Sequence, residues 1–584
     1  MKRFFCFILL SSIVLHHLTS NPSPKQRGEA LRERIYMQTD KYLYLSGEPV
    51  LIKLLTTDND LIPLVFSKVA YVELVADSVA RLQIKVEITD GTGSGLMILP
   101  AELPTGYYRL MAYTQYMRNE GVDVFFEKNI AVVNTFQSGY YPAEEKTETS
   151  LSASLPALSE GDGVSSVSLQ LDKAAYTVRT NGELIINGLP ENTYTLSVSI
   201  AGKELIPVVE PDNSLFRKNQ TKKTSDFSGK FLPEYEGHIL IGKIVDNVAN
   251  SLSVSNSADI SSTSEESSSM PKTAGLSFPT VDGIRFFSGQ EDETGNIRFY
   301  TSGIGGTNEI ATILFQAGDK QRVEIQSPFV NRFVPKQMPA LYIDSVDYGR
   351  LLSRSVALQV FRYFSDDPSE NQSISDAFFK MKPTWSYPLD EYTRFTTMRE
   401  VFIEFITGAR FRRNAGKQEI SIYTKRGSNL VYGTMPLVLL DGVPVSDHDL
   451  IYSYDPLSVE HINIYYGPYS LGGYWFDGIV EMTTYRRLHA DLNLNRATQI
   501  ITYQGPQLPY RLDTPGYSNE KNRQNRMPDS RHTLLWNPEV RTDGQTSIHL
   551  PFDTSDLTGE FQATVEGVTN DGKIIFATAV FKVE

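Results

Sequence analysis

The chain has 584 residues, with 55 Lys and Arg against 69 Asp and Glu, a net charge of −14 and one cysteine. Binding to a polyphosphate rests on releasing counterions with Lys and Arg, so this acidity argues against nucleic acid as a partner. The length suits about three to five domains, each able to bury a core.

Residues 1–20, MKRFFCFILLSSIVLHHLTS, set Lys2 and Arg3 before an apolar run and end on small Ser20. The run is too short to span a bilayer as a helix and reads as a secretory signal peptide. Cys6, the only cysteine, lies inside it. The mature chain is therefore expected to have no disulfide, thiolate nucleophile or thiolate metal site. No other stretch has the length and apolarity of a transmembrane helix. Export without disulfides fits a bacterial cell envelope, in the periplasm or associated with the outer membrane.

Beyond the signal, strand patterns dominate. Residues 31–136 contain VAYVELVAD (69–77) and RLQIKVEIT (81–89), with a turn at Ser46-Gly47, and predict a β-sandwich. Residues 137–165 are a Ser-, Glu-, Gly- and Pro-rich linker. A second, weaker sandwich is expected over 166–235 around YTLSVSI (194–200), with a polar stretch at 211–230. A third spans 237–330, with a disordered insertion at 250–272 that is too polar to repay its ordering. Helical periodicity appears at 343–364, inside a connector covering 340–387. Residues 388–488 hold the doubly apolar run PLVLLDGVPV (436–445), and 495–584 predict a C-terminal immunoglobulin-like sandwich. The fold class is mainly β: sandwiches strung as a rod, with one small α+β domain. The absence of βαβ alternation argues against a nucleotide-binding parallel sheet.

Three segments carry resemblances. The opening TDKYLYLSGEPV and the close GYYRLMAYTQYMRN of residues 31–136 resemble the macroglobulin-type β-sandwich that begins many exported proteins of Bacteroidetes-type bacteria. Residues 237–330, with DETGNIRF, resemble a transthyretin-like or carboxypeptidase-regulatory-like sandwich. Residues 388–488 resemble the plug domain of TonB-dependent outer-membrane receptors. That resemblance rests on Asp441-Gly442, the strand Ile462 to Tyr466, the turn Gly467 to Gly473, and Gly478 to Thr483. A receptor barrel needs about 22 strands of ~10 residues, whereas 99 residues follow Tyr485. The resemblance therefore implies a plug-like module without a barrel of its own. Macroglobulin thioester chemistry is not expected, since no cysteine follows the signal.

Catalytic motifs are absent at the spacing chemistry needs. Ser470 in GPYSLGG lacks the one-residue flanks of a nucleophile elbow, and a strand follows it. GTGSG (91–95) lacks the helix and Lys-Ser/Thr of a phosphate loop and reads as a hairpin turn. His238, His448, His461, His489, His532 and His549 form no metal-binding pair. Asp447, His448 and Asp449, near Asp441 and Asp455, read as a solvated acidic turn or an adventitious cation site. No catalytic, cofactor or metal residue is assigned.

The candidate contact residues are Asp441, Gly442, Asp447 and Asp449 in one loop, and Tyr466, Tyr469, Tyr474 and Trp475 around one turn. Such aromatic clusters fill interface pockets, stack on sugars, or pack a core. The expected function is a non-enzymatic envelope interaction protein associated with outer-membrane uptake or assembly. Its partner would be a protein, such as an outer-membrane β-barrel. The alternatives are a structural surface component, or a hydrolase of glycan or peptide working through Asp441, Asp447 and Asp455.

Overall fold

A computed structural model describes residues 31–137, 167–203, 227–247, 271–280, 283–315, 321–341, 343, 345–364, 382–471, 474–487, 497–512 and 514–584. The expected signal peptide and the bulk of the three low-complexity stretches lie outside these residues. The described chain is mainly β. None of its helices is long and apolar enough to cross a membrane.

The alternating apolar residues of 34–133 close a first sandwich. Arg34–Thr39, Pro49–Thr57 and Thr92–Ile98 form one sheet. The other runs in the order Leu43–Leu45, Phe126–Val133, Gly106–Tyr113, Val69–Ala76, Val79–Glu87. Met37, Tyr44, Ile52, Val72, Leu110 and Phe126 are among the residues packed between them. Asp90 and Gly91 both take positive φ, which turns the chain through GTGSG from one sheet to the other. The edge strand Leu43–Leu45 is covered by the long helix Ser345–Phe364, whose Tyr348, Leu351 and Leu358 pack on Leu43, Leu45, Ala131 and Val133. Covering an edge removes a pairing template for other chains.

The later sandwiches depart from the sequence expectation of modules strung in chain order as a rod. Residues 166–235 and 495–584 do not make two sandwiches. Asn181–Asn187 pairs with Ser547–Asp553, and Thr193–Gly202 lies between Gly559–Thr569 and Thr533–Asn537. Both segments bury their apolar faces in one core, with Leu184, Leu196 and Val198 beside Phe552, Val565 and Phe581. The physical reason is size: the four strands of 168–202 have too little apolar surface to close alone.

The third sandwich is completed in the same way. Its strands from 239–325 gain Thr498–Gln504, which pairs with Thr307–Leu314 along seven residues. A mixed-sheet unit, Trp385–Thr484, is thus inserted into the third sandwich, and the third into the second. Residues Glu33–Glu584 make one compact unit.

Glu234 joins the first sandwich to the third. Its carboxyl accepts hydrogen bonds from Tyr71 Oη at 3.1 and 3.0 Å and from the Ile239 N–H at 2.8 Å. Burial pushes this carboxyl up to about 8, against the pull of those donors and of Lys85. The unfolded chain releases the same proton near the ordinary 4.5. Between these values the folded state holds a proton that the unfolded state has lost, so stability falls as pH rises. The buried lysines Lys53 and Lys85, pushed down to about 7 and 8 mainly by burial, oppose this trend only at higher pH. His238, His448 and His532, held below the ordinary 6.5 mainly by burial, gain protons only on unfolding and oppose the Glu234 trend below about that pH. The Glu234 share is therefore read as a difference. In urea denaturation from about pH 5 to pH 7, Glu234→Gln should show stability that rises more steeply with pH, or falls less, than the parent chain, and an unchanged slope would contradict the assignment.

Candidate contact surface

The mixed sheet is built on the long hairpin Val459–Leu471 and Tyr474–Thr484, with Pro436–Leu440 added in parallel to its second strand. Two short helices, Met398–Glu404 and His448–Ser453, contribute to the packing of one face. Met398, Val401 and Ile451 lie there against Ile420, Ile462, Ile464, Val480 and Met482. The opposite face packs on the third sandwich. Leu437, Leu439, Tyr465 and Ile479 cluster there with Phe286, and Phe476 meets Phe286 edge-on at 5.9 Å.

This arrangement reassigns much of the expected contact loop. Asp441 (φ 50) and Gly442 (φ 79) form the two-residue turn between Leu440 and Val443. Positive φ at both positions is why Asp-Gly stands there. The Asp441 carboxylate accepts from the Thr484 N–H and hydroxyl, both at 2.6 Å, tying the turn to the hairpin. Gly442 is buried, and its carbonyl accepts a 2.6 Å hydrogen bond from Ser277 of the third sandwich. The turn is thus an internal anchor.

Asp447 caps the helix His448–Ser453, accepting from the Asp449 N–H at 3.2 Å. Asp449 accepts from the Gln418 N–H at 2.8 Å, and His448 Nδ1 from the Ile420 N–H at 3.0 Å. Burial pushes the His448 imidazole below its ordinary range, despite Glu419, Asp447 and Asp449 nearby. Asp455 caps the turn at Pro456 through the Leu457 N–H at 2.9 Å. Asp441, Asp447 and Asp455, the carboxylates of the hydrolase alternative, are all occupied by turn and cap donors. Among the described residues no three His, Cys, Asp or Glu are grouped for a metal.

The aromatic residues divide. Tyr474 stacks on Phe315 at 4.6 Å, and Tyr469 packs into the same interface cluster. Both are held between the mixed sheet and the third sandwich. Trp475 is 63% exposed. Tyr466 is half-buried and edges onto Tyr423 at 5.5 Å. A Cβ on Gly408 would come within 2.1 Å of the Tyr466 hydroxyl, so only glycine leaves the ring this place.

The sequence reading missed the rest of this surface. Tyr423 lies on Tyr432 at 4.3 Å, and the Arg410 guanidinium sits 3.7 Å over Tyr432. Burial, followed by Tyr423, pushes the Tyr432 hydroxyl up to about 12. Arg410 and Arg412 lie on one strand, Ala409–Asn414, and Lys425 on the next. Exposed Leu430 and Trp385 also belong to this unit. The available signal was a basic run, RFRRN and YTKR, within an acidic chain. The helix Met398–Glu404 also had a signal, since Thr397 and Glu400 form a capping box.

No protein-family model matches the chain, and no curated protein sequence does. Among solved structures it is similar to the Salmonella alpha-2-macroglobulin reacted with methylamine, at 11% identity and a TM-score of 0.23, over 94% of this chain and 39% of that one. The native alpha-2-macroglobulin of E. coli gives 10% and 0.23, over 95% and 40%. The E. coli adhesin FdeC gives 12% and 0.14, over 53% and 65%. The chain thus spans about two-fifths of the length of the macroglobulins it matches.

The two faces of the hairpin make opposite demands on substitution. Phe476→Ala, at the packed interface, should lower stability in urea by about 3–5 kcal/mol. Trp475→Ala, one residue away, should change it by less than about 0.5 kcal/mol. Equal losses would contradict this division.

Proposed function

We propose that the chain is an exported, non-enzymatic interaction protein of the bacterial envelope. The mixed-sheet unit is its docking module, and an outer-membrane β-barrel is the partner. The observation that carries this reading is the asymmetry of the unit. One face is locked onto the third sandwich through Phe286, Phe315 and Gly442, while Trp475, Trp385 and the Tyr466–Tyr423–Tyr432–Arg410 stack remain accessible. Aromatic and arginine side chains are the residue types that carry binding energy at interfaces. Arg412 is paired with Glu419 at 3.3 Å, but Arg410 and Lys425 give this surface a sign opposite to that of the whole chain, which favours an acidic partner surface. The resemblance of 388–488 to receptor plugs supports a barrel as that partner, and the N-terminal signal supports export.

A photo-crosslinking residue placed at Trp475 or Leu430 in intact cells tests the proposal, with exposed Val580 on the second sandwich as control. Trp475 and Leu430 should each yield a crosslink to a heat-modifiable barrel protein, and Val580 none. Crosslinks only to soluble chains or to other copies of this chain would replace docking with the spacer role.

A further inference from the structure

The first sandwich, the long helix and the segment that carries Tyr510, Leu512 and Ser530–Thr533 line a half-open cleft of about 340 Å³, with exposed Arg362 at its mouth. One wall is apolar, made by Leu51, Ile98, Leu358, Tyr510 and Leu512. The other end is charged. Asp40 and Glu48 are matched there by Lys41 and Arg354, at 2.9 Å for Lys41–Asp40, 3.2 Å for Lys41–Glu48 and 2.7 Å for Arg354–Glu48.

Arg362 is left over. It lies two helical turns beyond Arg354, with Leu358 midway between them, so all three line the cleft from one helix face. Its Nη1 donates to the Gly47 carbonyl at 3.0 Å, and it has no carboxylate partner among the described residues. His532 also lines the cleft. Its Nδ1 is buried without a hydrogen-bond partner. Burial, followed by Arg354, pushes that imidazole well below its ordinary range, so it stays neutral and can donate from one nitrogen.

We infer that this cleft binds a small amphiphilic carboxylate, with the apolar body against Leu51, Leu358 and Leu512 and the carboxylate between Arg362 and His532. An apolar pocket with a few convergent polar groups at one end is the general form of a small-ligand site. The excess guanidinium selects an anion, and its planar fork suits a carboxylate. A free fatty acid and a peptide ending in an apolar residue share this chemistry.

Trp536 reports on the site because it packs against Leu51, Ile98, Tyr510 and Leu512. It becomes the only tryptophan once Trp385 and Trp475 are replaced by Phe. In that full-length variant, octanoate should change Trp536 emission saturably, with octanamide and acetate at least about tenfold weaker. Arg362→Gln should bring octanoate to the level of octanamide. Leu512→Phe, which narrows the apolar wall, should weaken both octanoate and octanamide. N-acetyl-leucine binding more tightly than octanoate would identify the source as a peptide terminus, and the reverse order as an acyl chain. No saturable response to either carboxylate, or a response that Arg362→Gln leaves intact, would overturn the inference.

Discussion

Four buried charges hold the architecture together. Asp40, Lys41, Glu48 and Arg354 share one cluster, and Thr533 closes it with a 2.6 Å hydrogen bond from its hydroxyl to Asp40. The participants come from the first sandwich, the long helix and the first returning strand of the second sandwich. Burial raises the Glu48 carboxyl, but Arg354 and Lys41 outweigh it and hold the group at about 2. Removing one member of such a buried pair costs about 3–5 kcal/mol, because its partner is left charged and dry. Replacing the whole set with apolar groups of the same shape costs far less. The cluster therefore contributes position more than stability, since only one placement of helix and strand satisfies all its members.

Around that point the first sandwich acts as a hub. Tyr71 reaches Glu234 on the way into the third sandwich, and Val330 donates to Glu73 and Tyr113. Lys53 and Gln38 meet Thr195 and Ser197 of the second sandwich. Tyr36 donates to Glu566. Each junction carries such hydrogen bonds, beside apolar contacts such as Trp536 on Leu51 and Leu96, so the sandwiches are oriented as well as packed. The nested order sets a folding problem: the second sandwich cannot close until residues 168–202 meet 533–583 across the inserted third sandwich and mixed sheet. Contacts of such long sequence separation make for slow folding. The result is a scaffold that holds one face of the mixed sheet against the third sandwich, while the two short helices help to cover the other and Trp475, Trp385 and Leu430 stay exposed.

Strand character was legible throughout, because period-two alternation is a local property. The helix at 345–364 was legible for the same reason, as its apolar residues recur at helical spacing. Pairing between distant strands was not. Nothing local in YTLSVSI says that its neighbours are residues 533–537 and 559–569. At the candidate surface, the aromatic hairpin was identified but its two sides were not distinguished, because Tyr474 and Trp475 differ only in which way they point. Asp441-Gly442 was read as part of a contact loop and is a turn held from within, with Asp441 half-buried on Thr484 and Gly442 buried on Ser277, since the same dipeptide serves both roles. The Arg410–Tyr432–Tyr423–Tyr466 stack escaped notice because its members are spread over more than fifty residues.

The central claim is a nested fold in which distant segments share one core. Native-state hydrogen exchange, read strand by strand, tests it most directly. The account predicts that Thr193–Gly202 and Gly559–Thr569 open together, with the same free energy and the same denaturant dependence. Strands that exchange independently, each with its own stability, would contradict it.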